Sequence, residues 1–209
     1  MGSAQRVRNG IRGFLQAYGT GTMKRYLWNG EFARGRWNCP DRPTSDFVYP
    51  FVERYARHGN ILDLGCGAGR TVGELDVTTF QQYTGVDVSD VALETARRIT
   101  AAAGRSAKVR FTQSDIATYV PTERHDVILF MESLYYIPWA RIPALLDRYS
   151  NYLTPDGVFI VRMWTGTDKY LPIVQIIENH FQVVDKRVSE EPKAILIVFQ
   201  PRFRRSDEA

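Results

Sequence analysis

Residues that hold metals or build redox and nucleophilic centres are scarce in this sequence. Among 209 residues there are two cysteines and three histidines. Cys39 and Cys66 stand far apart, and neither has a Cys or His near it at metal-ligand spacing. That excludes a zinc-finger staple and a disulfide framework. Two unpaired thiols suit a reducing, cytoplasmic compartment. No apolar run reaches the roughly 18 residues that a membrane span needs. The arginines near the N-terminus are followed by no apolar run of about 7–15 residues, so a leader peptide is not expected. Repeats and low-complexity tracts are also missing. What is present is 44% hydrophobic and 24% charged, a balance that can bury a core within one domain and an extension.

Acidic residues are rare at one end. Residues 1–42 hold eight Lys and Arg against two acids, Glu31 and Asp41, while the rest holds 19 against 21. The same stretch carries Tyr18, Tyr26, Trp28 and Trp37, interleaved with Gly10, Gly13, Gly19, Gly21, Gly30 and Gly35. It reads as a mobile or draped segment, a lid or a contact for an anionic surface. The organisation expected is a basic aromatic segment over residues 1–43, a domain over 44–200 and a tail over 201–209.

From residue 44 onward, strand-like and helix-like patterns alternate, which points to a parallel α/β sheet. Strands are expected over Asn60–Gly65, Gln82–Asp87, Ala107–Gln113, Asp126–Glu132, Gly157–Trp164, Phe181–Val188 and Lys193–Gln200. Helices are expected over Thr44–His58, Val91–Ala103, Arg141–Leu153 and Lys169–Asn179. Only "SEEP" separates the last two strands, too short for a crossover, so they form an antiparallel hairpin. The fold class is α/β: a Rossmann-like seven-stranded sheet, five parallel strands plus a C-terminal antiparallel hairpin, flanked by helices.

The first strand runs into "ILDLGCGAGR". A dinucleotide fingerprint reads G-x-G-x-x-G. Here the glycines are Gly65, Gly67 and Gly69, and Asp63 precedes them. That spacing, with an acid nearby, argues against a pyrophosphate and suits a ligand carrying a cationic group. Asp87 ends the second strand, where an acid can accept hydrogen bonds from ribose hydroxyls. "SDIA" follows the third strand and places Asp115 where a carboxylate can accept from an adenine amino group. Met131, Glu132, Ser133, Tyr135 and Tyr136 close the fourth strand at the same sheet edge.

Taken in order, these features resemble the class I S-adenosylmethionine-dependent methyltransferases over about residues 44–200. The resemblance implies a cofactor site made of Asp63, Gly65, Cys66, Gly67, Gly69, Asp87, Val88, Ser114, Asp115, Ile116, Met131 and Glu132. Cys66 is expected to be a small buried filler there, not a nucleophile.

The methyl acceptor is less determined. The "MESL" after strand four lacks the Asp/Asn-Pro-Pro pattern of base and glutamine amine methylation. Neither cysteine is placed for cytosine C5 chemistry. The second glutamate of the protein-arginine enzymes is missing, and so is the metal triad of catechol-type enzymes. His58, His125 and His180 fall at the amino ends of strands, away from the cofactor edge. A hydroxyl acceptor is helped by a positioned base. Glu132 is the first candidate, with Tyr135 and Tyr136 as catalytic partners and Asp168 just beyond strand five. Tyr26, Trp28, Trp37 and Trp164 are expected to form the acceptor's walls, since flat rings stack on sugar faces and hold amines. A looser resemblance, resting on "WNGEFARGRW" and "ESLYYI", links the chain to small bacterial sugar and polysaccharide O-methyltransferases. It implies transfer to a hydroxyl of a sugar or oligosaccharide, such as a mannose-type precursor. An N-methyltransferase of a small amine is the alternative, and nucleic acid is a less favoured partner. A divalent ion such as Mg²⁺ is compatible with the looser family, though no ligands can be assigned, and a homodimer is equally compatible.

Overall fold

The computed structural model describes residues 12–35 and 47–202. Its strands are β1 (Asn60–Leu64), β2 (Gln82–Asp87), β3 (Val109–Gln113), β4 (His125–Met131), β5 (Leu153–Trp164), β6 (Phe181–Glu190) and β7 (Lys193–Pro201). They form one sheet in the order β3-β2-β1-β4-β5-β7-β6. The first five pair in parallel, and β7 runs antiparallel between β5 and β6. This is the expected Rossmann-like sheet with its terminal hairpin.

Side chains alternate across the sheet with a period of two, so each strand feeds two cores. Leu62, Leu64, Ile128, Phe130, Phe159, Val161, Ile197 and Phe199 pack on one face. Ile61, Val127, Leu129, Val158, Ile160, Leu196 and Val198 pack on the other. The first face is covered by α6 (Ile142–Ser150) and α7 (Leu171–His180), the second by α3 (Val48–Ala56) and α4 (Arg70–Glu74). The helix α5 (Asp90–Ala102) follows β2. Ser89 caps it by accepting from the Ala92 N–H, and Asp90 adds negative charge to its first turn.

Three local expectations are corrected. The helix expected over Arg141–Leu153 stops at Ser150, because Leu153 already pairs with His125 and the "TPDG" stretch belongs to β5. The five-residue α4 was not anticipated, being too short to show a helical period. The described part of the N-terminal stretch, residues 12–35, is not draped chain. It forms a helix over residues 12–18, called α1, and then α2 (Gly21–Ala33), capped by Thr20, whose hydroxyl accepts from Met23 N–H.

β1 connects to β2 on one side and its other neighbour, β4, connects to β5 on the far side, so the connections from this strand pair run in opposite directions. A crevice opens at the carboxyl ends of the strands at such a switch point, and ligands of α/β sheets bind there.

Candidate active site

The loop after β1 closes one wall of that crevice. Gly65 and Gly67 both take positive φ, 88° and 53°, a region in which glycine avoids the Cβ clash. A Cβ on Gly65 would come 2.5 Å from the Ser133 Cβ, and one on Gly67 would lie 3.3 Å from the Phe32 ring. The loop is thus pressed between the turn after β4 and α2. Its Gly65 and Cys66 N–H groups donate to Val86 O at 2.8 and 3.1 Å. Burial, with Asp87 and Asp63 nearby, pushes the Cys66 thiol well above its ordinary value. That side chain stays a neutral thiol.

Asp87 joins the loop to α5. Its two oxygens accept from Gly67 N–H at 2.9 Å and Ser89 N–H at 2.8 Å. Burial raises its pKa, while these backbone donors oppose the rise. Asp115 is tied by Ala117 N–H at 2.9 Å and by the Lys24 ammonium at 2.7 Å. Lys24 comes from α2 and is itself buried. The same helix sends Arg25 to Asp90 in a two-pronged contact at 3.1 and 2.7 Å, which holds that carboxyl down to about 2. Asn29 donates to Asp90 and accepts from Ser89. The helix α2 therefore spans from the tip of β3 to the start of α5, over the crevice.

On the opposite wall Glu132 follows β4 with φ of 57°, a conformation unfavourable for a residue with a side chain. Its side chain is held from three directions. The Arg162 guanidinium pairs with one oxygen, and the Tyr135 hydroxyl donates to the other. Trp164 N–H donates to that second oxygen at 3.2 Å. Tyr136 stands edge-on to Trp28, with centroids 4.8 Å apart. Burial pushes its phenol up to about 12, so it is neutral at ordinary pH.

These walls enclose a cavity of about 630 Å³. Of the expected residues, Gly65, Cys66, Gly67, Asp87, Val88, Asp115, Ile116, Met131, Glu132, Tyr136, Trp28 and Trp164 line it. Others are elsewhere. Asp63 is fully buried beneath the loop, where the Tyr83 hydroxyl donates to it at 2.5 Å. Gly69 and Ser114 do not line the cavity, though each bonds to a residue that does. The Ser114 N–H donates to Asp87 O at 3.0 Å. Tyr26 is 80% exposed on the outer face of α2 and is not a wall of the cavity. Trp37 lies outside the described residues, as does Cys39. Neither Asp168 nor any histidine lines the cavity.

Gln16, Lys24, Phe32, Arg70, Arg162 and the turn residues Glu191 and Pro192 line the cavity too, unforeseen. Two signals could have found some of them. Lys24, Trp28 and Phe32 recur every four residues, one helical face. Arg162 is a single charge inside the apolar strand "VFIVRMW". Among the described residues, no group of three His, Cys, Asp or Glu side chains is placed to hold a metal ion. Nor is any described helix long and apolar enough to cross a membrane.

Comparison with known proteins places this architecture. Residues 61–157 match the family model described as "Methyltransferase domain". A curated relative, trans-aconitate 2-methyltransferase of Acidovorax sp. (strain JS42), is 34% identical over 132 residues, which are 60% of this chain and 48% of the relative. The chain thus spans about half the length of the first curated relatives it matches. Among solved structures, magnesium protoporphyrin IX methyltransferase from Synechocystis PCC 6803 with bound SAM superposes with a TM-score of 0.67 at 16% identity, covering 86% of this chain and 96% of that one. N-methyltransferase NodS from Bradyrhizobium japonicum WM9 with S-adenosyl-L-homocysteine gives 0.64 at 19%, covering 80% and 92%.

Proposed function

We propose that this chain is a class I S-adenosylmethionine-dependent methyltransferase and that it methylates a small acceptor whose nucleophile needs no deprotonation by the protein. A carboxylate oxygen fits best. The observation that carries this is the state of the expected bases. Glu132 is engaged by Arg162, Tyr135 and the Trp164 N–H, and accepting a proton would break its ion pair. Tyr136 is a neutral phenol with a raised pKa. The acid named in trans-aconitate 2-methyltransferase is consistent with such an acceptor.

The residues present fit the donor molecule. Asp87 and Asp115 offer oxygens at the tips of β2 and β3 for ribose hydroxyls and an adenine amino group, and the Gly65–Gly67 backbone leaves room for close approach. When bound, S-adenosylmethionine supplies a methyl carbon on a sulfonium; as acceptor oxygen and carbon join, the carbon–sulfur bond breaks and its electron pair stays on sulfur. No proton moves when the nucleophile is a carboxylate. The chain's own part is then placement and exclusion of water. α2 roofs the cavity, Trp28 and Tyr136 wall it, and Glu132 with Arg162 forms a fixed polar floor.

A sugar hydroxyl remains a second reading, favoured by the Trp28, Tyr136 and Trp164 rings around the cavity. One experiment separates the two. The protein is incubated with methyl-labelled S-adenosylmethionine and a panel of organic acids, sugars and small amines. Mild alkali then follows. A carboxylate acceptor gives a methyl ester whose label is released as methanol. A label that survives alkali on a sugar ether or an N-methyl amine overturns the carboxylate reading.

A further inference from the structure

We propose that Gln16 of α1 is a specificity-determining residue that hydrogen-bonds an oxygen of the methyl acceptor. This rests on the reading of the cavity as a methyl-transfer site. Gln16 is 8% exposed, although its neighbours on α1, Phe14 and Tyr18, are 62% and 53% exposed. It lines the cavity. Its side-chain nitrogen is buried and has no hydrogen-bond partner. An amide donor shut away from water without a partner is unfavourable for the ligand-free protein. The wall of the cavity it shares includes the Trp28 and Phe32 rings and the Ile137 side chain.

The position is well fixed. Arg12, one turn before Gln16 on the same helix face, pairs at 2.9 Å with the buried Glu31 of α2. The helix α2 is in turn held to Asp115 and Asp90. Gln16 is therefore carried on a braced helix, on a part of the roof that does not supply the adenosine carboxylates. The terminal torsion of a glutamine is soft and roughly two-fold, so a half-turn exchanges donor and acceptor. Its NH₂ can meet a carbonyl, carboxylate or hydroxyl oxygen. Such a group in a carbon-rich wall selects an acceptor with a polar oxygen on a flat or apolar body, and disfavours the same body without that oxygen.

Two measurements test this on the full chain. The first compares wild type with Gln16→Met, which keeps length and removes the amide. The ligand-free variant should melt about 2–4 °C higher, and its affinity for S-adenosylhomocysteine should stay within about twofold of wild type. A lower melting temperature would mean the amide is satisfied structurally, and lost S-adenosylhomocysteine binding would place Gln16 in the donor subsite. Either result overturns the proposal. The second follows the Gln16 side-chain NH₂ signals by NMR in protein saturated with S-adenosylhomocysteine, titrated with trans-aconitate, glutarate, methyl mannoside and glycine. At least one probe should shift them and bind about tenfold more weakly to Gln16→Met. Signals unmoved by all four overturn the proposal. Failure of S-adenosylhomocysteine to bind wild type is a different outcome, because it sinks the methyl-transfer reading itself.

Discussion

Asp63 sits fully buried under the glycine loop, bonded to the Tyr83 hydroxyl. Burial raises its pKa to about 7, against the pull of that hydrogen bond. The folded value lies above the unfolded value of about 4, so the folded state holds more protons between them. Its contribution to stability is full at low pH and is lost as pH rises from about 4 to 7. Asparagine keeps an acceptor for Tyr83 and removes the titration. Asp63→Asn should therefore gain stability relative to wild type between pH 5 and pH 8, read from urea unfolding. A constant difference across that range would refute the raised pKa. His125 runs the other way: burial lowers it to about 4, so its effect is to make the fold more stable as pH rises toward 6.5. Comparing variant with wild type at each pH cancels that background. Residue by residue, the site was legible where chain order alone places a side chain at a strand tip, as with Asp87 and Asp115. It was hidden where the partner comes from elsewhere in the fold. Nothing local in the sequence pairs Glu132 with Arg162, thirty positions on, or leaves Gln16 alone.

At the scale of elements, α2 is the part that sequence reading misjudged. Taken as draped chain, Tyr26 and Trp28 looked equivalent. On a helix they point about 200° apart, so only Trp28 can face the crevice. Lys24, Trp28 and Phe32 share its inner face, and Arg25 and Asn29 hold its edge to Asp90. The two ion pairs should differ in weight. Lys24 and Asp115 have side chains 10% and 14% exposed, whereas Arg25 and Asp90 are 48% and 43% exposed. Lys24→Met should weaken the docking of α2 by about 1–3 kcal/mol, and Arg25→Ala by about 0–1 kcal/mol. Hydrogen exchange is the measurement: α2 amides should exchange at least about tenfold faster in Lys24→Met, with β1 and β4 unchanged. Equal effects of the two variants would contradict this ranking. The glycine loop and the strand order lie where the sequence puts them, because glycine spacing and alternating apolar runs are local signals. Helix α2 was not, because its glycines and aromatics outweighed a four-residue period.

For the whole molecule, the seven-stranded order was accessible from alternation and from a connection too short for a crossover. The same architecture predicts which nucleotides stabilise the protein. S-adenosylhomocysteine at about a hundred times its dissociation constant should add about 2.7 kcal/mol and raise the melting temperature by about 5–11 °C. NAD should leave it unchanged. Gly67→Val should abolish the shift, since a branched side chain there strains a positive φ and meets Phe32. A melting shift with NAD, or one retained in Gly67→Val, would be incompatible with the donor site drawn here.

The N-terminal basicity has a meaning that its net charge conceals. Arg12, Lys24 and Arg25 are each paired within the molecule, with Glu31, Asp115 and Asp90. These three charges, which read as part of a field for outside polyanions, fasten the molecule's own roof. Fastenings made of charge loosen as ionic strength rises, the exposed ones first. The roof's hold over the crevice should therefore weaken as salt is added around the protein.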